Sequence, residues 1–81
     1  MKEQKIKQDA ICIGKNIKAI RKQKKIKQID VVIKMQLMGF DMTRESMVKI
    51  ERGIQHIYAS QLRAIKEILD TTYDELLKQT D

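Results

Sequence analysis

The side chains best suited to recognising a ligand fall together between Thr43 and Arg52, in the run TRESMVKIER. Arg44 carries a planar guanidinium, which can donate two parallel hydrogen bonds to the O6/N7 edge of guanine. Glu45 can accept from a cytosine amino group or hold Arg44 in place. Val48 offers an apolar surface for a thymine methyl. Lys49, one turn beyond Glu45, can reach a guanine or a phosphate, and Ser46 is short enough to allow close approach. The hydroxyl of Thr43 can meet a phosphate while capping the helix. Each good base contact would contribute roughly 1–3 kcal/mol of discrimination. The same residues also fit an ordinary amphipathic surface helix, with Glu45 and Lys49 as an i,i+4 pair worth a few tenths of a kcal/mol.

These side chains need a short helix held at a defined angle, and the chain around them supplies it. The stretch from Gln28 to Gly53, QIDVVIKMQLMGFDMTRESMVKIERG, reads as helix, turn, helix. Ile29, Val32, Ile33 and Leu37 are spaced for one face of the first helix, which runs from Gln28 to Leu37 or Met38. Gly39-Phe40-Asp41 breaks the pattern, and the apolar corner Met35, Leu37, Met38, Phe40 and Met42 reads as core filling. Thr43 stands at the N-cap of the second helix and Gly53 just past its end. Met47 and Ile50 turn inward; Arg44, Glu45, Val48, Lys49 and Arg52 turn outward. A second helix that is short and polar on its outer face, after a Gly-containing turn, is the layout of a DNA-reading helix-turn-helix.

The flanking segments follow from the same rules. Residues 1–8 form a lysine-rich arm and 9–81 a single domain. Helix 1 is expected from Asp9 or Ala10, with Asp9 as N-cap, to Gln23 or Lys24. Its stripe is Ile13, Ile17 and Ile20, extended by Ala10. Arg21 borders that inward face, and Glu51 is the acid beside the inner positions of the second motif helix. The two fit a bidentate, partly buried pair or two independent surface charges. Ile26 plugs the next connection. At the N-terminus of helix 2 the Gln28 amide, the free backbone N–H groups and Lys27 suit a phosphate. Gln55 and His56 lie in the loop 54–58, on the side where a nucleic-acid backbone would pass. Helix 4 spans Ala59 or Ser60 to Leu69, with Leu62, Ile65, Ile68 and Leu69 inward. Thr72 and Glu75 have capping-box spacing and open helix 5, which carries Leu76 and Leu77 and runs to Gln79.

Composition narrows the class. The 81 residues carry no proline and three glycines, and 42% are hydrophobic, which favours one all-α domain with short connections and a small core. The net charge of +6 is unevenly spread: residues 1–28 hold ten Lys/Arg against two acids, and residues 29–81 hold seven against nine. One face toward a polyanion is the implied arrangement. The chain from Glu67 onward is acidic, which suits a face turned away from DNA; its last helix mainly closes its own core and is also a candidate dimer surface. No apolar run approaches the ~20 residues of a membrane span, and residues 1–14 lack the pattern of a secretory signal. The single cysteine, Cys12, fits a reducing cytosol and a small core or boundary position. One histidine, no Gly-rich phosphate loop and no metal-ligand spacing leave catalysis, a metal or a cofactor without a foothold. No segment is left over for a small-molecule effector.

The chain resembles the helix-turn-helix domain of the lambda-repressor and Cro-like (XRE-type) family. The residues that carry the resemblance are IGKNIKAIRKQKKIKQ at 13–28, TRESMVKIERG at 43–53 and LRAIKEILDTTYDELL at 62–77. It implies a five-helix fold whose helices 2 and 3 form the motif, with helix 3 in the major groove of double-stranded DNA and homodimers on near-palindromic sites. By position it implies base-reading roles for Arg44, Glu45 and Lys49, and backbone contacts from Gln28, Thr43, Arg52 and Gln55. It also implies an Arg21–Glu51 clamp between helices 1 and 3. Three departures stand out. The stretch from Gln28 to Thr43 is about five residues longer than in the shortest members, which implies a longer helix 2 and a wider turn. Val32 replaces a frequent alanine, and Tyr58 replaces a frequent Ser or Thr cap. The expected function is a cytoplasmic, nucleoid-associated transcriptional regulator, in the first place a repressor of bacterial or phage type. The alternative is an antitoxin-like module that binds a protein first and DNA second.

Overall fold

The structure, a computed structural model, describes residues 5–6 and 12–79. Its elements are β1 (Lys5–Ile6), α1 (Ile13–Gln23), α2 (Gln28–Leu37), α3 (Arg44–Glu51), β2 (Ile57–Tyr58), α4 (Ala59–Leu69) and α5 (Tyr73–Leu77). The fold is therefore all-α in its core, with one short antiparallel ladder. No helix among the described residues is long and apolar enough to cross a membrane.

The helices form where periodicity places them, and one core joins all five. Ile13, Ile17 and Ile20 of α1 are buried in one cluster with Met47 and Ile50 of α3, Leu62, Ala64, Ile65 and Leu69 of α4, and Leu76 of α5. Helix α1 packs on α3, α4 and α5, while α2 packs on α3 and α4. Ile68 is only partly buried, and Leu77 sits at the surface. Helix α1 begins at Ile13 with Cys12 at its cap, later than the sequence suggests. Asp9 and Ala10 lie outside the described residues.

The phase of α2 differs from the expected one. Val31, Val32 and Met35 face the core, while Ile29, Ile33 and Leu37 face solvent. Apolar side chains occupy two interleaved helical stripes here, so periodicity fits both equally. Tertiary contact chooses between them: α2 docks on α3 and α4 with Val31, Val32 and Met35 in the core, and this rotation turns Gln28 toward Glu51. The methionine-rich corner is split by the same rotation. Met35 and Met42 are buried and Phe40 packs on the core, but Leu37 and Met38 are exposed.

The first four helices end in one way. Each is followed by a residue with left-handed φ: Lys25 at 59°, Gly39 at 95°, Gly53 at 77° and Asp70 at 52°. Paired backbone bonds of the Schellman type close these chain reversals. In α1 they run from the Lys25 N–H to Lys22 O and from the Ile26 N–H to Arg21 O, and in α3 from Gly53 to Ile50 and from Ile54 to Lys49. The N-termini of α3 and α5 are closed by threonines. Thr43 Oγ1 accepts from the Ser46 N–H at 3.0 Å, and Thr72 Oγ1 from the Glu75 N–H at 3.2 Å. At α4 the N3 residue contributes: Gln61 Oε1 accepts from the Tyr58 N–H at 2.9 Å.

Three features depart from the sequence reading. Lys5 and Ile6 pair antiparallel with Tyr58 and Ile57, so part of the basic arm is tied to the body. Ile57, read as loop, is fully buried where this ladder forms. Helix α5 stops at Leu77 rather than Gln79. There the buried Asn16 amide donates to Leu76 O at 2.8 Å and to Lys78 O at 2.7 Å, satisfying carbonyls that a longer helix would have used internally.

Candidate nucleic-acid interface

Helix α3 divides sharply into two sides. Met47 and Ile50 are wholly buried, and Glu51 is buried beside them. Arg44, Glu45, Lys49 and Arg52 are exposed, and Ser46 and Val48 are half-buried. The outer side thus presents two arginines, a lysine, a carboxylate and one apolar contact.

The inner side is fastened by an ion pair. Arg21 Nε donates to Glu51 Oε2 at 2.9 Å and Nη2 to Oε1 at 3.0 Å, a bidentate geometry. Arg21 Nη1 also donates to Ile26 O at 3.0 Å, which ties the pair to the α1–α2 connection. The two side chains are 11% and 3% exposed. Gln28 completes the cluster, its Nε2 donating to Glu51 Oε1 at 3.1 Å. One carboxylate therefore joins α1, α2 and α3. Sequence reasoning assigned the Gln28 amide to a phosphate; in the structure it is turned toward Glu51. The reason is local: Gln28 opens α2 where that helix meets the end of α3, and the carboxylate has a lone pair left after Arg21 is served.

The remaining residues lie around this cluster. Lys27 is the N-cap of α2 in extended conformation, with no side-chain cap. The N–H groups of Gln28 and Ile29 consequently point out of the helix without a partner among the described residues. Lys27 and Arg52, next in sequence to Gln28 and Glu51, are both exposed. Thr43 caps α3 through a lone pair and keeps its O–H free to donate. Gln55 and His56 are half-buried, each already engaged within the fold.

Electrostatics distinguish the exposed cations. Lys49 Nζ lies 3.4 Å from Glu45 Oε1, so Glu45 holds Lys49 and not Arg44. Arg44 stands at the first helical position, where the macrodipole disfavours a cation. It forms no ion pair with any described residue. Among the described residues no group of His, Cys, Asp and Glu could hold a metal, and Cys12 is a half-buried free thiol.

Sequence reasoning missed Asn16 and Lys24 as structural residues. Asn16 was detectable, because with Arg21 it is one of two polar side chains on the buried side of the Ile13/Ile17/Ile20 stripe. Lys24, whose Nζ donates to Asp70 O at the end of α4, carries no local signal. No family model matches the chain, and neither a curated protein nor a solved structure matches it.

Proposed function

We propose that this protein is a sequence-specific, double-stranded DNA-binding regulator of the lambda-repressor and Cro-like kind. On this reading α2 and α3 form its helix-turn-helix and it occupies near-palindromic sites as a dimer. The observation that carries the reading is the division of α3: an outer face of Arg44, Glu45, Val48 and Lys49 on a helix whose inner face is clamped by Arg21 and Glu51. Base edges are read by positioned side chains, and positioning needs a rigid support. Arg44 supplies the bidentate donor, Val48 the methyl contact, and the exposed Glu45–Lys49 pair a donor and an acceptor. Lys27, the open N–H groups of Gln28 and Ile29, the Thr43 hydroxyl and Arg52 hold phosphates on either side, with Gln55 and His56 beside them. Because Glu51 binds Arg21 and Gln28 at once, a phosphate held at the start of α2 sets the register of α3. Binding to a promoter would exclude polymerase, which is repression without an effector.

A second reading, a module that binds a partner protein first, is favoured by one feature: the apolar outer stripe of α2.

Selection of duplexes from a random pool at about 150 mM salt, where non-specific binding is weak, tests the proposal. An enriched inverted repeat is the expected result; only salt-sensitive, unselective binding refutes it. Arg44→Ala and Lys49→Ala should each relax preference at particular base pairs by about 1–3 kcal/mol. Lys27→Ala and Arg52→Ala should weaken all sequences alike and lower the salt slope by about 0.9 each. Indistinguishable behaviour of the four would remove α3 as the reader.

A further inference from the structure

The outer face of α2 carries an uncovered apolar stripe. Ile29, Ile33 and Leu37 recur every four residues along it and are 39%, 46% and 82% exposed, and Met38 continues it at 47%. Together they leave on the order of 400 Å² of apolar surface in water, within the roughly 300–600 Å² of the largest patch on a typical monomer and often functional at that size. A groove of about 380 Å³ runs beside the stripe, lined by Ile26, Ile33 and Leu37 with Lys25, Asp30 and Lys34 at its rim. Ile33 and Leu37 thus form both the stripe and one wall of the groove, so a second copy can set its own stripe against it, as a two-fold contact needs.

The charges along the stripe select the occupant. Asp30 and Lys34 each follow a stripe residue by one position, so they share one flank. Both are exposed, and neither makes an ion pair with a described residue, although they stand four apart. The other flank, Gln28, Val32 and Gln36, is uncharged. When two antiparallel helices meet across a two-fold axis, like flanks face each other. An axis at Ile33 sets Ile29 against Leu37 of the partner subunit. It also brings Asp30 within a turn of the partner's Lys34, and Lys34 within a turn of the partner's Asp30; the two Lys34 side chains come equally close across the axis, so each needs the other subunit's Asp30 beside it. A parallel pair would leave those charges opposite uncharged side chains.

We infer that the Ile29–Ile33–Leu37 face of α2 is a homodimer interface, antiparallel about Ile33, with reciprocal Asp30–Lys34 ion pairs. Two copies of the stripe with their polar rims bury roughly 1,000–1,200 Å² in total, the lower limit of a specific interface. The dimer is accordingly reversible. This inference names the surface behind the dimer invoked above but does not need DNA.

Sedimentation equilibrium of the full chain without DNA is the test. The 9.5 kDa chain should reach twice that mass at high micromolar concentration. Ile33→Glu and Leu37→Glu should each raise the dissociation constant at least about 100-fold, tenfold or more for each of two copies. Circular dichroism should show both variants folded, since both sites are exposed. Asp30→Lys should weaken the dimer, and Asp30→Lys with Lys34→Asp should restore it. A wild-type monomer, or a dimer untouched by both Glu variants, overturns the interface. Loss with Glu but no rescue by the charge swap overturns the antiparallel register. A monomer that still selects an inverted repeat from DNA would defeat this inference alone and leave the DNA reading standing.

Discussion

Removing one member of the Arg21–Glu51 pair should be the most damaging polar substitution in the protein. Glu51→Ala leaves a guanidinium that is 11% exposed with only the Ile26 carbonyl for company, and Arg21→Ala leaves a 3%-exposed carboxylate with only the Gln28 amide. A stranded buried charge costs about 3–5 kcal/mol. A chain of this length holds roughly 4–12 kcal/mol in all, so either change consumes a large share. With about 4–8 °C per kcal/mol for a domain this small, each single variant should melt at least about 12 °C below wild type. The double change Arg21→Met with Glu51→Leu removes both charges and refills the volume, so it should return to within about 1–2 kcal/mol of wild type. Urea titration followed by circular dichroism of wild type, Arg21→Met, Glu51→Leu and their double variant measures the four corners of one cycle. If the double variant loses the sum of the two single losses, the pair is not coupled and the clamp argument fails. If the proposed DNA-reading function holds, singly substituted protein that remains folded should lose DNA selectivity before it loses non-specific affinity, because the outer face of α3 loses its fixed angle.

Three smaller effects follow from the same contacts. Thr43→Ala removes the acceptor of the Ser46 N–H and should cost about 1 kcal/mol of stability in urea titration. Lys25→Gly relieves a non-glycine residue at φ 59°, and because left-handed backbone costs roughly 1–2 kcal/mol for an L side chain, the melting temperature should rise by several degrees. Asn16→Ala strands the Leu76 and Lys78 carbonyls at about 1–3 kcal/mol; hydrogen exchange should show the loss first in the amides of α5.

Features decided within a turn or two of chain are legible in the amino-acid sequence itself. Thr43 and Thr72 cap because a hydroxyl reaches an N–H three residues on, and Gly39 and Gly53 end helices because a left-handed residue closes the last turn. The Ile13/Ile17/Ile20 stripe and the two sides of α3 follow from helical period alone. Arg21 and Glu51 have suitable chemistry and suitable positions, but spacing leaves open whether they meet. What tertiary structure decided depends on partners tens of residues away. Gln28 meets Glu51, Asn16 meets the end of α5, and Lys5–Ile6 meets Ile57–Tyr58. Such contacts depend on how whole elements pack, and spacing along the chain does not name the partner. Helix α2 shows the limit most plainly. Its two apolar stripes are equivalent to a 3.6-residue period, and only docking on α3 and α4 determined that Val31, Val32 and Met35 enter the core while Ile29, Ile33 and Leu37 remain in water.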